Sequence, residues 1–136
     1  MRRRANATLI ALAVAAGSVM FSAPIASAAA YCDSSGYTET SEPMERCTSL
    51  SNGILFVKQS SSGVVSTTYA KTGGSTISAQ LGYSRSGTSH YASAVSISSG
   101  QTKSAKWSLS ASAYCTNTIG LLKYSGGSYQ TPTSHC

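Results

Sequence analysis

Acidic side chains are scarce in this sequence: there are four in 136 residues, and none lies beyond Glu45. Asp33, Glu39, Glu42 and Glu45 fall within thirteen residues, inside the stretch YCDSSGYTETSEPMERC at 31–47. Glycoside hydrolysis generally needs two carboxyl groups about 5–10 Å apart across the scissile bond, and everything after Glu45 has none. Calcium, which prefers clustered oxygen ligands that usually include carboxylates, meets the same objection. Histidine is scarce too, with only His90 and His135. An acid–base triad around either would have to borrow its orienting carboxylate from the acidic stretch. No G-x-S-x-G elbow occurs. There is no C-x-x-C pair either, so the four cysteines point to disulfides rather than zinc. The residues predict a protein that is not an enzyme and carries no metal or cofactor.

The first residues read as a secretory signal. Arg2, Arg3 and Arg4 form a cationic start, Leu9 to Phe21 is mostly apolar, and Ala26-Ser27-Ala28 supplies a small-x-small cleavage site. The apolar run is too short to span a bilayer core of about 30 Å as a helix. Cleavage after Ala28 predicts a secreted, extracellular chain of 108 residues without a membrane anchor. Three of the ten basic residues leave with the signal, so seven remain against four acids, a net charge of +3. That length suits one domain, divided into an acidic segment at 29–47 and a β domain at 48–136.

In an exported chain of this size, four cysteines imply two bridges. Cys32–Cys47 and Cys115–Cys136 would each close a compact loop at one end of the chain. Such a closure is worth roughly 3 kcal/mol for about 15 residues. The crossed alternative, Cys47–Cys115, stays open at this level.

After Cys47, β-rich runs alternate with turn residues. The runs are GILFVKQ (53–59), VVSTTYA (64–70), TISAQLGYS (76–84), HYASAVSI (90–97), KSAKWSL (103–109), TNTIGLLKY (116–124) and a short SYQT (128–131). SSSG, KTGGS, SRSGTS, SSGQ and SGG separate them. The period is two: Ile77, Ala79, Leu81 and Tyr83 share a face, Tyr91, Val95 and Ile97 another, and Trp107 goes with Leu109. One apolar and one hydroxyl-rich face per strand predicts an antiparallel β-sandwich of immunoglobulin-like size, all-β, with six to seven strands. A small barrel is the second choice.

Lys58, Lys71, Arg85, Lys103, Lys106 and Lys123 are spread singly along these elements. Scattered charge of this kind keeps sheet edges from pairing with other chains. Without a basic cluster, nucleic acid is not an expected partner. Trp107 with Tyr69, Tyr83 and Tyr91 could make an aromatic platform of the kind sugar-binding modules use, but a single tryptophan in a domain this small is needed as core bulk.

Residues 31–46 bear three large apolar side chains, Tyr31, Tyr37 and Met44, among the four acids and Pro43. Such a stretch cannot fold alone. Either its acids lie over the basic body, or it is a tethered peptide presented to another protein. In the second case Tyr37 and Met44 are anchors, and Asp33, Glu39, Glu42 and Glu45 steer toward a basic cleft.

The arginine-led signal, the Ser/Gly/Thr-rich body, the phrases CTSLSNGILFV and SISSGQTKSAKWSL, and the terminal cysteine resemble small exported proteins of actinobacteria. Among these the chain is most similar to the adaptor subunit of umbrella toxin particles. The resemblance implies an adaptor in an antibacterial toxin complex, with other secreted proteins as partners. Its body would dock on the repeat-built ring of a large toxin polypeptide, and residues 31–46 would enter the cleft of a trypsin-like lectin subunit. Two other readings use the same residues: a secreted inhibitor of a protease or glycosidase, and a carbohydrate- or cell-wall-binding module.

Overall fold

A computed structural model describes residues 31–136. The expected signal peptide therefore lies outside the described residues. Nine strands follow in order: β1 (Glu45–Leu50), β2 (Gly53–Gln59), β3 (Val64–Lys71), β4 (Ile77–Arg85), β5 (Thr88–Tyr91), β6 (Val95–Ile97), β7 (Thr102–Ser108), β8 (Ile119–Tyr124) and β9 (Gly127–Gln130). One turn of 3-10 helix, Ala111–Ala113, interrupts them.

Every pairing is antiparallel, and two sheets result. The first runs β1-β2-β3-β7. The second runs β5-β4-β8-β9, with β6 also paired to β4. The inward residues of each sheet meet the other, giving a sandwich; the Cys32–Cys47 bridge ties the preceding segment to β1, and Cys115–Cys136 ties the β7–β8 connection to the residues after β9. Both local pairs stand, and the crossed one is excluded.

Alternation builds the core. β2 buries Leu55, Val57 and Gln59 and turns Lys58 out, while β3 buries Val65, Thr67 and Tyr69. Leu55, Tyr69, Ala79, Leu81, Ile97 and Leu122 form the main cluster. Val57, Val65 and Tyr83 form a second, against which Trp107 and Leu109 pack. Between them the fully buried Thr67 donates its hydroxyl to the Gly82 carbonyl at 2.8 Å, so its polar atom is satisfied within the sandwich.

Two strand expectations are corrected. The run 90–97 is two strands, not one. Tyr91 pairs with Gly82 and Val95 with Ala79, so three residues, 92–94, face only Gln80 and Leu81. One extra residue reverses the facing of a strand. Tyr91 therefore lies over Gly82 on the outer side, where a Cβ on Gly82 would stand 2.7 Å from its ring. Tyr91 shares no face with Ile97, which is fully buried. The second correction is β1, absent from the expected strands. It begins at Glu45, so the boundary placed after Cys47 falls inside a strand.

The basic residues divide. Lys103 and Lys106 are exposed on β7, an edge strand, where their charge opposes edge-to-edge pairing. Lys71, by contrast, is buried and folds its ammonium back onto the Gly73 carbonyl. It shields no edge.

Candidate functional site

Residues 31–44 follow the outer edge of the first sheet in a defined path. The Asp33 carboxylate accepts the Ser35 amide and the Ser35 hydroxyl, each at 2.8 Å, and the Ser34 hydroxyl at 3.4 Å. A short polar side chain bonding the backbone two residues on is the turn chemistry typical of aspartate. The Gly36 amide donates to the Asp33 carbonyl, and the Asp33 amide to the Tyr37 carbonyl, both at 2.9 Å. The carboxylate bonds hold the Asp33 pKa below its ordinary value, the Ser35 amide being the largest cause.

Gly36 joins this turn to the body. Its φ of 89° is one that L side chains resist, and an added Cβ would sit 2.6 Å from Pro132 Cγ. Its carbonyl accepts the Cys47 amide of β1 at 2.9 Å. The segment is thus fixed by the Cys32–Cys47 bridge, by a backbone bond and by the C-terminal tail.

Arg46 organises the rest. It is buried on β1, its guanidinium lies 4.3 Å from the Tyr37 ring centroid, and Nη1 donates to the Pro43 and Glu45 carbonyls at 2.8 Å. One planar cation gathers the carbonyls of the turn and faces the aromatic ring. Reasoning from the residues alone passes over Arg46. The available signal is an arginine next to a cysteine in a stretch otherwise lacking cations.

The acids have separate fates. Glu42 pairs with Lys58 at 2.7 Å, and Glu45 lies 3.8 Å from the same ammonium while accepting the Thr40 hydroxyl at 2.9 Å. The bond that the Lys58 ammonium donates to Glu42 is the main reason the Lys58 pKa is raised. Glu39 is exposed and forms no ion pair among the described residues. Met44 is only 2 % exposed, so it serves this protein's own interior and is corrected as a docking anchor.

What remains open is a cleft of about 850 Å³ lined by Tyr31, Asp33, Tyr37, Thr38, Glu39 and Ser41. Tyr31 and Tyr37 are 52 % and 40 % exposed, the most exposed large hydrophobic residues among the described residues. Two aromatic faces and two carboxylates on a fixed backbone can receive a cationic or amphipathic side chain from another molecule.

The other aromatic candidates lie elsewhere. Trp107 is half-buried and meets Tyr83 edge-on at 4.9 Å, while His90 stacks on the Tyr83 ring at 4.8 Å. Tyr69 is buried in the main cluster. The four aromatics named for a sugar platform therefore do not share one exposed face. Among the described residues, no three His, Cys, Asp or Glu side chains gather as a metal site would require. Comparison with family models, curated proteins and solved structures found no match to this chain.

Proposed function

We propose that this chain is a non-enzymatic, secreted interaction module, an adaptor within an extracellular antibacterial protein complex, that offers residues 31–45 to a partner. The observation that carries the reading is the acidic segment itself. A stretch too polar to fold alone is held in place by a bridge, by Gly36 and by Arg46, yet leaves Tyr31, Tyr37 and Glu39 facing solvent. Holding a recognition element rigid lowers the ordering cost of binding. A cleft lined by two tyrosines and two carboxylates fits a protein partner that presents basic side chains.

Pull-down from native culture supernatant with the tagged mature protein tests this. Specific companion proteins should be recovered with the wild type and lost with Tyr31→Ala/Tyr37→Ala. A strictly monomeric protein without companions would sink the proposal.

The same rigidity supports a second reading, an inhibitor whose closed loop occupies the cleft of a secreted hydrolase. Inhibition of one protease or glycosidase at stoichiometric concentration, abolished by the same double substitution, would favour it over assembly.

A further inference from the structure

Strand β7 (Thr102–Ser108) ends the first sheet and pairs only with β3 among the described residues. Just beyond the two ends of this ladder, the Leu109 amide donates to the Gly63 carbonyl at 3.0 Å and the Lys71 amide to the Gln101 carbonyl at 2.9 Å. Antiparallel bonds fall on alternate residues, so the backbone groups of Lys103, Ala105 and Trp107 point to β3. Those of Thr102, Ser104, Lys106 and Ser108 point away from it, and all four residues are exposed. Their amides and carbonyls have no backbone partner among the described residues. The other edge of the sheet, β1, is met by the acidic segment, where the Gly36 carbonyl takes the Cys47 amide. β7 is therefore a seven-residue strand open along one side.

The core is open at the same flank. Residues directly opposite in a ladder share a face. Lys103, Ala105 and Trp107 pair with Tyr69, Thr67 and Val65, all buried, so these three belong to the inner face. In the second sheet His90 pairs with Tyr83 and Val95 with Ala79, also buried, so His90 and Val95 turn inward too. Trp107 meets the Tyr83 ring edge-on and His90 stacks on it, which sets β7 across from β5. Yet Val95 is 39 % exposed, His90 is exposed, and Ala105 and Trp107 are only half-buried. Inner-face side chains stay wet here because the first sheet has no strand beyond β7 to cover them.

We propose that an extended, acidic segment of another protein adds to β7 as a fifth strand of the first sheet. Main-chain bonds to Thr102, Ser104, Lys106 and Ser108 supply affinity, and alternate side chains supply specificity. Charge selects the occupant. Lys103 lies on the inner face and Lys106, opposite Ser66, on the outer one, and β5, β6 and β7 carry no acid. The lysines that oppose indiscriminate edge pairing admit a strand bearing carboxylates and disfavour a second copy of β7, which brings two further cations. An antiparallel partner then places apolar residues opposite Trp107 and Ala105, covering the wet inner face, and carboxylates opposite Lys106 and Lys103. The site uses different strands from the acidic segment, so it does not depend on the function proposed above.

Nuclear magnetic resonance of the mature protein tests the site, with the end-capped peptide Thr-Val-Glu-Val-Thr-Glu-Thr as the probe. Saturable shifts and slowed exchange are expected at the amides of Thr102, Ser104, Lys106 and Ser108. Binding should be roughly tenfold weaker for the peptide with lysine in place of both glutamates, and Lys103→Glu/Lys106→Glu should reverse that preference. Ser104→Pro removes one outward amide and no bond to β3, and it should weaken binding roughly tenfold. Shifts that rise linearly with concentration, equal binding of the two peptides, or an unchanged preference in the double lysine variant overturn the proposal. So does a dimer of the peptide-free protein in sedimentation whose formation protects these four amides, because the edge then belongs to a second copy. If Ser104→Pro does not fold, the charge-reversal comparison alone decides.

Discussion

The Arg46 guanidinium lies 4.3 Å from the centroid of the Tyr37 ring, joining the first strand of the sandwich to the segment that precedes it. The same group holds the Pro43 and Glu45 carbonyls. The contact therefore links the order of the acidic segment to the folding of the sheet, and it keeps Tyr37 in one orientation while part of the ring stays wet.

Replacing Arg46 should separate these roles. A cation–π contact to a partly exposed ring contributes about 1 kcal/mol and charge-assisted hydrogen bonds about 1.5–3 kcal/mol each, partly overlapping. Arg46→Ala should cost about 3–4 kcal/mol in urea unfolding. Arg46→Lys, which keeps the charge and loses the fork, should cost about 1–2 kcal/mol. A change below about 0.5 kcal/mol for both would show that the contact holds nothing.

Acid should loosen the segment before the body. Asp33 is held below its ordinary value of 3.8 by the Ser35 amide and hydroxyl. A carboxyl with a depressed folded pKa stabilises above its unfolded value, and that contribution disappears as pH falls through the folded pKa. The window therefore opens near pH 4 and extends below it. The exchange protection factors of the Ser35 and Gly36 amides should fall through that window while the amides of β4 and β8 stay protected. Asp33→Asn should make the segment's exchange independent of this titration in that range. Simultaneous loss of protection in segment and body would contradict the assignment.

Gly36 gives a local test of how the segment is mounted. Alanine there must take φ near 89° and bring a Cβ to 2.6 Å from Pro132 Cγ. Strain of this kind costs about 1–3 kcal/mol. Gly36→Ala should release residues 33–44 as measured by proteolysis, with little change in near-ultraviolet signals from Trp107. Opening the Cys32–Cys47 bridge by paired alanines should do the same and cost roughly 3 kcal/mol in global stability. Trp107 serves as the reporter because it packs on the second core cluster, far in sequence from the segment.

Much of the sandwich was legible because its strands repeat every two residues. β2 matches the run 53–59 end to end, and β4 buries the Ala79, Leu81 and Tyr83 face that the alternation selects. Alternation fails where the chain departs from it. The extra residue at 92–94 leaves no mark in a run of Ala and Ser, so simple alternation puts Tyr91 on the wrong face. β1 is hidden because Arg46, Thr48 and Leu50, which share one face, include only one aliphatic residue. The candidate site was legible in its location and acidity but not in its division of labour. Composition cannot tell that Met44 is buried, that Glu42 meets Lys58, or that Arg46 is the organiser.

Glu39 and Glu42 should therefore respond unequally to charge reversal. Glu42 is half-exposed in its pair with Lys58, and surface pairs of this kind contribute about 0–1 kcal/mol. Glu42→Lys sets two ammonium groups side by side and should lower stability by at most about 1 kcal/mol. Because the folded pKa of Lys58 is raised, that pair's contribution is complete below its ordinary value of 10.5 and is lost as pH rises through the folded pKa. The wild-type advantage over Glu42→Gln should therefore vanish at strongly alkaline pH. Glu39 makes no ion pair among the described residues and borders the tyrosine-lined cleft. Glu39→Lys should leave the unfolding free energy within about 0.5 kcal/mol of wild type, as expected for a surface substitution away from any structural contact. Its partner recovery from supernatant should nevertheless fall at least tenfold, and more steeply at low ionic strength than at high. Equal recovery by Glu39→Lys and wild type, with Glu42→Lys the weaker, would move the contact surface from the cleft to the Lys58 side of the segment.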